Sequence, residues 1–365
     1  MDLGRLTAER GDVATALKHL DEARRELTAL AREAPGERRY AVALSRAYLE
    51  TGRLLVRPAS VTPKSVAELL ARTAALRRAA EVIEQGKEVQ AGLARLSNEP
   101  VTRAWLNAEV QHALLNARLL LGQRKFEQAE RLAARALPML EQLGKVGLGL
   151  DLTAERFRYE TYLGVATAST PTRRDAAVAS LRRALGLMKQ LDVDPLPEGV
   201  APRELGETTY LLAAALRNLK LPGEAVVAGR QAAKWQRAVQ AVAPGDRDLR
   251  KELSRTLFEL GGEYRETGAH APAAEAARER AALWPDDADE LHDVACELCM
   301  CARVASADQK ARQAYHDEAI AVLGKAVAAG LKGAGSLRKD GDFTPLRDRP
   351  EFQKLVAEVE RRDRQ

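Results

Sequence analysis

The chain has 365 residues, 46% hydrophobic and 30% charged, with only 4% aromatics and a net charge of +5. That length and apolar content can bury a large core, and the abundance of Ala, Leu, Glu and Arg favours closely packed helices over sheet. The 57 basic and 52 acidic side chains are interleaved rather than gathered in blocks, which reads as a solvated helical surface and argues against nucleic-acid binding.

No run of about 18 apolar residues is present, which argues against a membrane span. The opening MDLGRLTAERGD lacks the basic-then-apolar pattern of a secretory signal. Cys296, Cys299 and Cys301 fall within six residues and form no disulfide framework, so a reducing, cytoplasmic setting is expected.

Leu3, Gly4, Gly11, Ala16, Leu20 and Ala23 sit at the offsets of the second half of one helix and the whole of its partner. The chain is therefore expected to open within a repeat whose beginning would precede Met1. Leu44, Tyr48 and Gly52 repeat the offsets, and Pro58 and Pro63 delay the partner helix, which resumes over 66–88. A third pair is expected over 101–143, with the small series Ala129, Ala133 and Ala136, before the break GKVGLGLD. A fourth pair covers 152–191, with Leu163, Gly164, Ala177, Leu181 and Ala184 at repeat positions. A fifth covers 203–242, with Leu212, Leu216, Ala225 and Ala232.

The clearest unit follows, over 257–285. Leu260 and Tyr264 lie one turn apart on one apolar stripe, and Gly261 is expected to leave room for a neighbouring helix. Gly268 permits a left-handed turn, Ala273 is small where two helices cross, and Pro285 stops the second helix. This is the spacing of the tetratricopeptide repeat, whose units must stack to bury their apolar faces. A looser seventh pair spans 287–330, with Ala319, Leu323 and Ala326 on its second helix. After Gly330 the pattern changes: Phe343, Leu346, Phe352, Leu355 and Val356 precede the charged end ERRDRQ, as in a terminal cap. The expected fold is all-α: a right-handed TPR-like helical solenoid of about seven antiparallel helix pairs over 1–330, the first truncated, with a C-terminal cap over 331–365.

The repeats, and above all KAVAAGLKGAGSLRKDGDFTPLRDRPEFQKLV, resemble the C-terminal repeat region of planctomycete-type bacterial serine/threonine protein kinases, strongly over 253–356 and weakly before. The resemblance implies a module that recruits partners or substrates for a kinase domain preceding it in a longer polypeptide. Catalysis of phosphoryl transfer is not expected of this chain. Gly144, Gly147 and Gly149 have the phosphate-loop spacing reversed and lie between predicted helices, and Thr344 follows Asp342 and Phe343 where the kinase motif has glycine.

The five histidines, His19, His112, His270, His292 and His316, are scattered, and no nucleophile motif stands out. In HDVACELCMC, His292, Cys296 and Cys299 fall at i, i+4 and i+7, so one helical face could offer a nitrogen and two sulfurs to zinc, with Cys301 pointing away. A fourth ligand is not evident, and the simpler reading is that these cysteines pack as small apolar residues. No cofactor is expected.

In this repeat family the first helix of each pair lines the groove. Aligning those helices places Arg39, Arg46, Arg118, Arg158, Arg217, Arg255 and Arg265 there, over an apolar floor of Leu114, Tyr210 and Phe258. The planar fork of arginine suits carboxylates and phosphates, so an acidic or phosphorylated protein segment is the expected ligand. The alternative is that these arginines pair with Glu50, Glu160, Glu259 and Glu266 as solvated neighbours. Val42 and Phe258 stand where one subfamily carries the lysines that grip a chaperone tail, which argues against that ligand. The expected function is a protein-interaction scaffold. A stand-alone adaptor or self-associating module and, further off, a metal-dependent helical enzyme are the alternatives.

Overall fold

The computed structural model describes residues 12–56, 66–95, 103–146, 151–197 and 200–364, and all regular structure among them is helical. In chain order the α-helices are α1 (Val13–Glu33), α2 (Arg38–Val56), α3 (Val66–Arg95), α4 (Arg103–Gly122), α5 (Phe126–Val146), α6 (Thr153–Thr167), α7 (Arg174–Gln190) and α8 (Pro202–Asn218). They continue as α9 (Pro222–Val242), α10 (Arg247–Glu266), α11 (His270–Leu283), α12 (Ala288–Val304), α13 (Gln309–Ala328), α14 (Ala334–Lys339) and α15 (Pro350–Asp363). A 3-10 segment, Gly341–Leu346, links the last two. The expected pairs from the second to the seventh are present as α2–α3 through α12–α13. The first half of the first pair, with Leu3, Gly4 and Gly11, and the loop prolines Pro58 and Pro63 lie outside the described residues.

Local chemistry sets the helix ends. Asp12, Asp287 and Asp308 accept the backbone amides of Thr15, Glu290 and Ala311 at 3.0, 3.1 and 2.9 Å, satisfying donors that a helix start leaves open. At the other end of α10, the Ala269 amide reaches the Tyr264 carbonyl at 2.7 Å while Gly268 adopts φ +79°, a conformation that costs an L side chain about 1–2 kcal/mol. The same closing bond joins Lys125 to Leu120 after α4 and Leu331 to Ala326 after α13. Trp284 ends α11 and Pro285 follows it.

The chain divides into two compact units, Met1–Lys220 with Lys234–Leu249, and Leu221–Ala233 with Arg250–Gln365. In the first unit, successive hairpins bury separate apolar clusters. Ala16, Leu20 and Leu54 form one; Val82, Ile83, Leu115 and their neighbours another; Ala129, Ala133 and Ala136 a third, with Leu114, Tyr159 and Tyr162. Gly164 is required on α6: a Cβ there would stand 2.6 Å from Leu181 Cδ2 and 2.7 Å from its Cγ.

In the second unit one apolar cluster runs from Ala273 through α12 and α13 to Val359. Phe343, Leu346, Phe352 and Val356, expected in the terminal segment, are all buried in it, with Leu355 packed alongside. Leu260 and Ala273 are buried as expected. At Gly261 the position a Cβ would take lies 3.8 Å from the Ala273 carbonyl oxygen of the neighbouring α11, in line with the expected close approach, and it also faces Arg265 Nη1 at 3.3 Å and Glu297 Oε2 at 3.8 Å. The room it leaves is thus shared by the neighbouring helix and by charged side chains.

Candidate functional site

The first helices of the hairpins carry most of the charged side chains that are withdrawn from water. In the first unit, Arg53 of α2 donates to Glu50 and to Gln111 of α4, each at 2.7 Å, and Gln111 donates to Glu155 of α6 at 2.8 Å. Arg158 of α6 then bridges Glu155 at 2.9 Å and Glu204 of α8 at 2.6 Å. Beside this ladder, buried Arg118 of α4 donates to buried Glu207 of α8, which Arg203 approaches at 3.4 Å. Burial alone would push the Glu204 carboxyl up, but the guanidiniums of Arg158, Arg53 and Arg118 outweigh it and hold the pKa at about 2. Burial likewise opposes the charge on Arg118, yet Glu207 and other nearby groups raise its pKa.

Two of the expected groove arginines are therefore internal. Arg118 and Arg158 are each 6% exposed and committed to carboxylates, because an unpaired buried guanidinium would be far costlier than a paired one. Their partners are not the expected neighbours: Glu160 binds Arg183 at 2.7 Å, and Glu50 binds Arg53. Leu114 and Tyr210 are also core residues, so the apolar floor expected there is closed. Close by, His112 is held neutral; burial first, then Arg53 and Lys87, lower its pKa to about 4. Its Nε2 lies 3.2 Å from Ser45 Oγ, and both residues are buried, as a packed pair rather than an accessible nucleophile.

What remains at the surface of α2 is Arg39, Val42 and Arg46, all exposed and spaced i, i+3, i+7 on one face. Arg39 lies 3.2 Å from Glu37 and stacks over the Tyr40 ring at 5.0 Å. Arg217 is half-buried on α8.

On α10 of the second unit, Lys251, Arg255, Phe258, Gly262 and Arg265 recur at alternating steps of four and three, which places them on one face. Phe258 is 44% exposed, and the others are half-buried. Arg255 reaches Glu259 at 3.4 Å, as expected. Arg265 is turned inward, with Nη1 beside the Gly261 position and its charge facing the Cys301 thiol.

Sequence reasoning missed the residue beneath Phe258. Arg280 of α11 is 4% exposed, stacks on the Phe258 ring at 5.1 Å, and donates to Ser254 at 3.2 Å, to Glu290 at 2.7 Å and to Glu297. Its signal was present only as an arginine in an alanine-rich helix, where a surface position is the default reading.

The sulfur cluster is rearranged relative to expectation. His292 and Cys296 face one another on α12, but the third donor beside them is Asp340, not Cys299. Cys299 is 1% exposed within the apolar cluster, and burial, then Asp342, push its thiol up to about 12. Cys301 faces the other way, toward Arg265 and Arg278.

Among the described residues, no helix is long and apolar enough to cross a membrane. No protein-family model matches the chain, and no curated protein sequence matches it. Solved structures do: a structure of the nuclear import adaptor Nro1 of S. pombe aligns with a TM-score of 0.52 at 10% identity, covering 87% of this chain and 98% of that one. A second, reported as the hypoxic regulator of sterol synthesis Nro1 acting as a nuclear import adaptor, aligns with a TM-score of 0.50 at 12% identity, covering 93% and 98%. At these identities the likeness is one of fold.

Proposed function

We propose that this chain is a protein-interaction scaffold that docks acidic or phosphorylated protein segments on the outward faces of its first helices, and that it breaks or makes no covalent bond itself. The observation that carries this reading is the exposed Arg39–Val42–Arg46 stripe on α2. Two guanidiniums flank an apolar step there, a combination that suits a carboxylate- or phosphate-bearing segment with an apolar side chain between its charges. The Arg255 and Phe258 face of α10 offers the same pairing of cation and apolar surface in the second unit. The fold likeness to Nro1, described as an adaptor, supports a role of this class.

The finer reading is a recruiting module of a bacterial serine/threonine kinase working in the cytoplasm, and its support is the sequence resemblance over 253–356. An in-frame kinase domain upstream of Met1 is the expected finding; a different domain in that position would remove the kinase reading and leave the scaffold untouched.

The scaffold reading is tested with fluorescent acidic and phosphorylated peptide pools titrated against the full chain. Peptides that bind the parent should bind Arg39→Glu/Arg46→Glu at least about tenfold more weakly, with helix content by circular dichroism unchanged. Equal binding by parent and double variant rules out the α2 face.

A further inference from the structure

The donors of His292, Cys296 and Asp340 lie within 4.8 Å of one another, and they come from two segments far apart in sequence. Asp340 Oδ2 stands 3.8 Å from His292 Nε2 and 3.7 Å from Cys296 Sγ. Donors bound to a tetrahedral zinc at about 2.0–2.3 Å stand roughly 3.3–3.8 Å from each other, so two of the three separations already fit and the cluster need contract only slightly.

Two of the three donors are also held by neighbouring groups. The other carboxylate oxygen of Asp340 accepts the Asp342 amide at 2.9 Å, and the Asp340 carbonyl accepts from Arg347 at 3.1 Å, which fixes the residue at the start of the 3-10 segment. The second ring nitrogen of His292, Nδ1, lies 3.7 Å from the Asp293 carboxylate, and Phe343 packs edge-on against the imidazole at 5.4 Å. Nε2, the nitrogen on the far side of the ring from Asp293, is the one that faces Asp340. Cys296 is 7% exposed, whereas the His292 and Asp340 side chains are 24% and 28% exposed, so one side of the cluster is reachable from solvent.

We propose that His292, Cys296 and Asp340 bind one zinc ion through Nε2, Sγ and Oδ2, with a water molecule in the fourth position. One imidazole, one thiolate and one carboxylate form a donor set that zinc accepts and that magnesium and calcium, which prefer oxygen alone, do not. On binding, the Cys296 thiol gives its proton to solvent as the sulfur–zinc bond forms, and the imidazole binds neutral. The metal clips the start of the 3-10 segment to α12, so it would fasten the terminal segment to the last hairpin of its unit. Cys299 and Cys301 take no part.

The test uses the full chain, freed of metal by chelation and titrated first with Co²⁺ as a coloured stand-in and then with Zn²⁺. One equivalent of Co²⁺ should produce a thiolate-to-cobalt charge-transfer absorption that Zn²⁺ abolishes, and Zn²⁺ should raise Tm. Cys296→Ser should remove the charge-transfer band, His292→Ala and Asp340→Asn should each weaken Zn²⁺ binding by about tenfold or more, and Cys299→Ser should behave as the parent. The parent spectrum decides the matter even where a variant fails to fold. Metal uptake without a charge-transfer band means surface carboxylate binding and overturns the proposal, as does absence of uptake or loss of the band in Cys299→Ser with helix content intact.

Discussion

In the unit formed by 1–220 and 234–249, guanidiniums, carboxylates and the Gln111 amide link α2, α4, α6 and α8 in a chain from Glu50 to Glu204, with the buried Arg118–Glu207 pair beside it. In the unit formed by 221–233 and 250–365, an unbroken apolar cluster runs from Ala273 to Val359, the buried guanidinium of Arg280 meets Glu290 and Glu297, and more exposed ion pairs such as Arg278–Glu318 and Arg349–Asp317 lie around it. Apolar contact is non-directional and tolerates small shifts between helices, whereas a guanidinium fork holds its carboxylate in one geometry. The first unit, with its core divided among hairpins, thus uses buried ion pairs to align neighbouring helices; in the second the ion pairs away from Arg280 are more exposed, and the larger apolar cluster carries more of that task. The contrast also implies unequal sensitivity to acid.

The largest expected effect breaks the ladder. Arg118→Ala should destabilise the chain by about 3 kcal/mol in urea unfolding, since it removes the hydrogen-bonded guanidinium from the buried Glu207 carboxylate and leaves it the longer Arg203 contact, while Arg118→Met/Glu207→Leu should recover most of that loss. A double variant as unstable as the single would mean that the pair does not align the helices through charge.

Acid should sharpen the comparison next. His112 is held neutral at a pKa of about 4 against an ordinary 6.5, so the unfolded chain takes up a proton first as pH falls. Its contribution is complete above about pH 6.5, declines through the window, and is lost below about pH 4, for a total of about 3 kcal/mol. Glu204, held at about 2 against 4.5, extends the decline from about pH 4.5 downward. Hydrogen exchange at pH 5 should show lost protection in α4 and retained protection in α12 and α13, and His112→Gln should flatten the upper part of the profile. Equal loss in both regions would erase the distinction.

The smallest effect probes packing within the charged unit. Gly164→Ala places a methyl group against the branched end of Leu181 and should cost about 1–3 kcal/mol with no change in pH dependence, measured by denaturation at two pH values. A stable Gly164→Ala protein would show that α6 and α7 can separate slightly without penalty.

Most of the scaffold was legible because its punctuation is local. Gly268 and Pro285 end helices through their own backbone chemistry, and the alanine series on α5 could only be a crossing face. The cross-helix partners of the arginines were not legible. Arg118 meets Glu207 across 89 positions and Arg158 meets Glu204 across 46, whereas helical spacing exposes only pairs three or four apart. The i, i+4 relation between His292 and Cys296 was visible in the sequence, but Asp340 enters from 44 positions beyond Cys296, through the fold alone. Cys299 was included because helical periodicity carries no information on which side of α12 the later chain returns.

The stack of Arg280 beneath Phe258 has a consequence for association. An exposed aromatic ring ordinarily samples several rotamers, and a partner that closes over it must bear the entropy of fixing it. Here the guanidinium at 5.1 Å is itself anchored by Ser254 and Glu290, so the ring rests on a fixed support before anything arrives. Such a side chain behaves as a rigid peg, and contact with it would be read mainly in a slower dissociation rate.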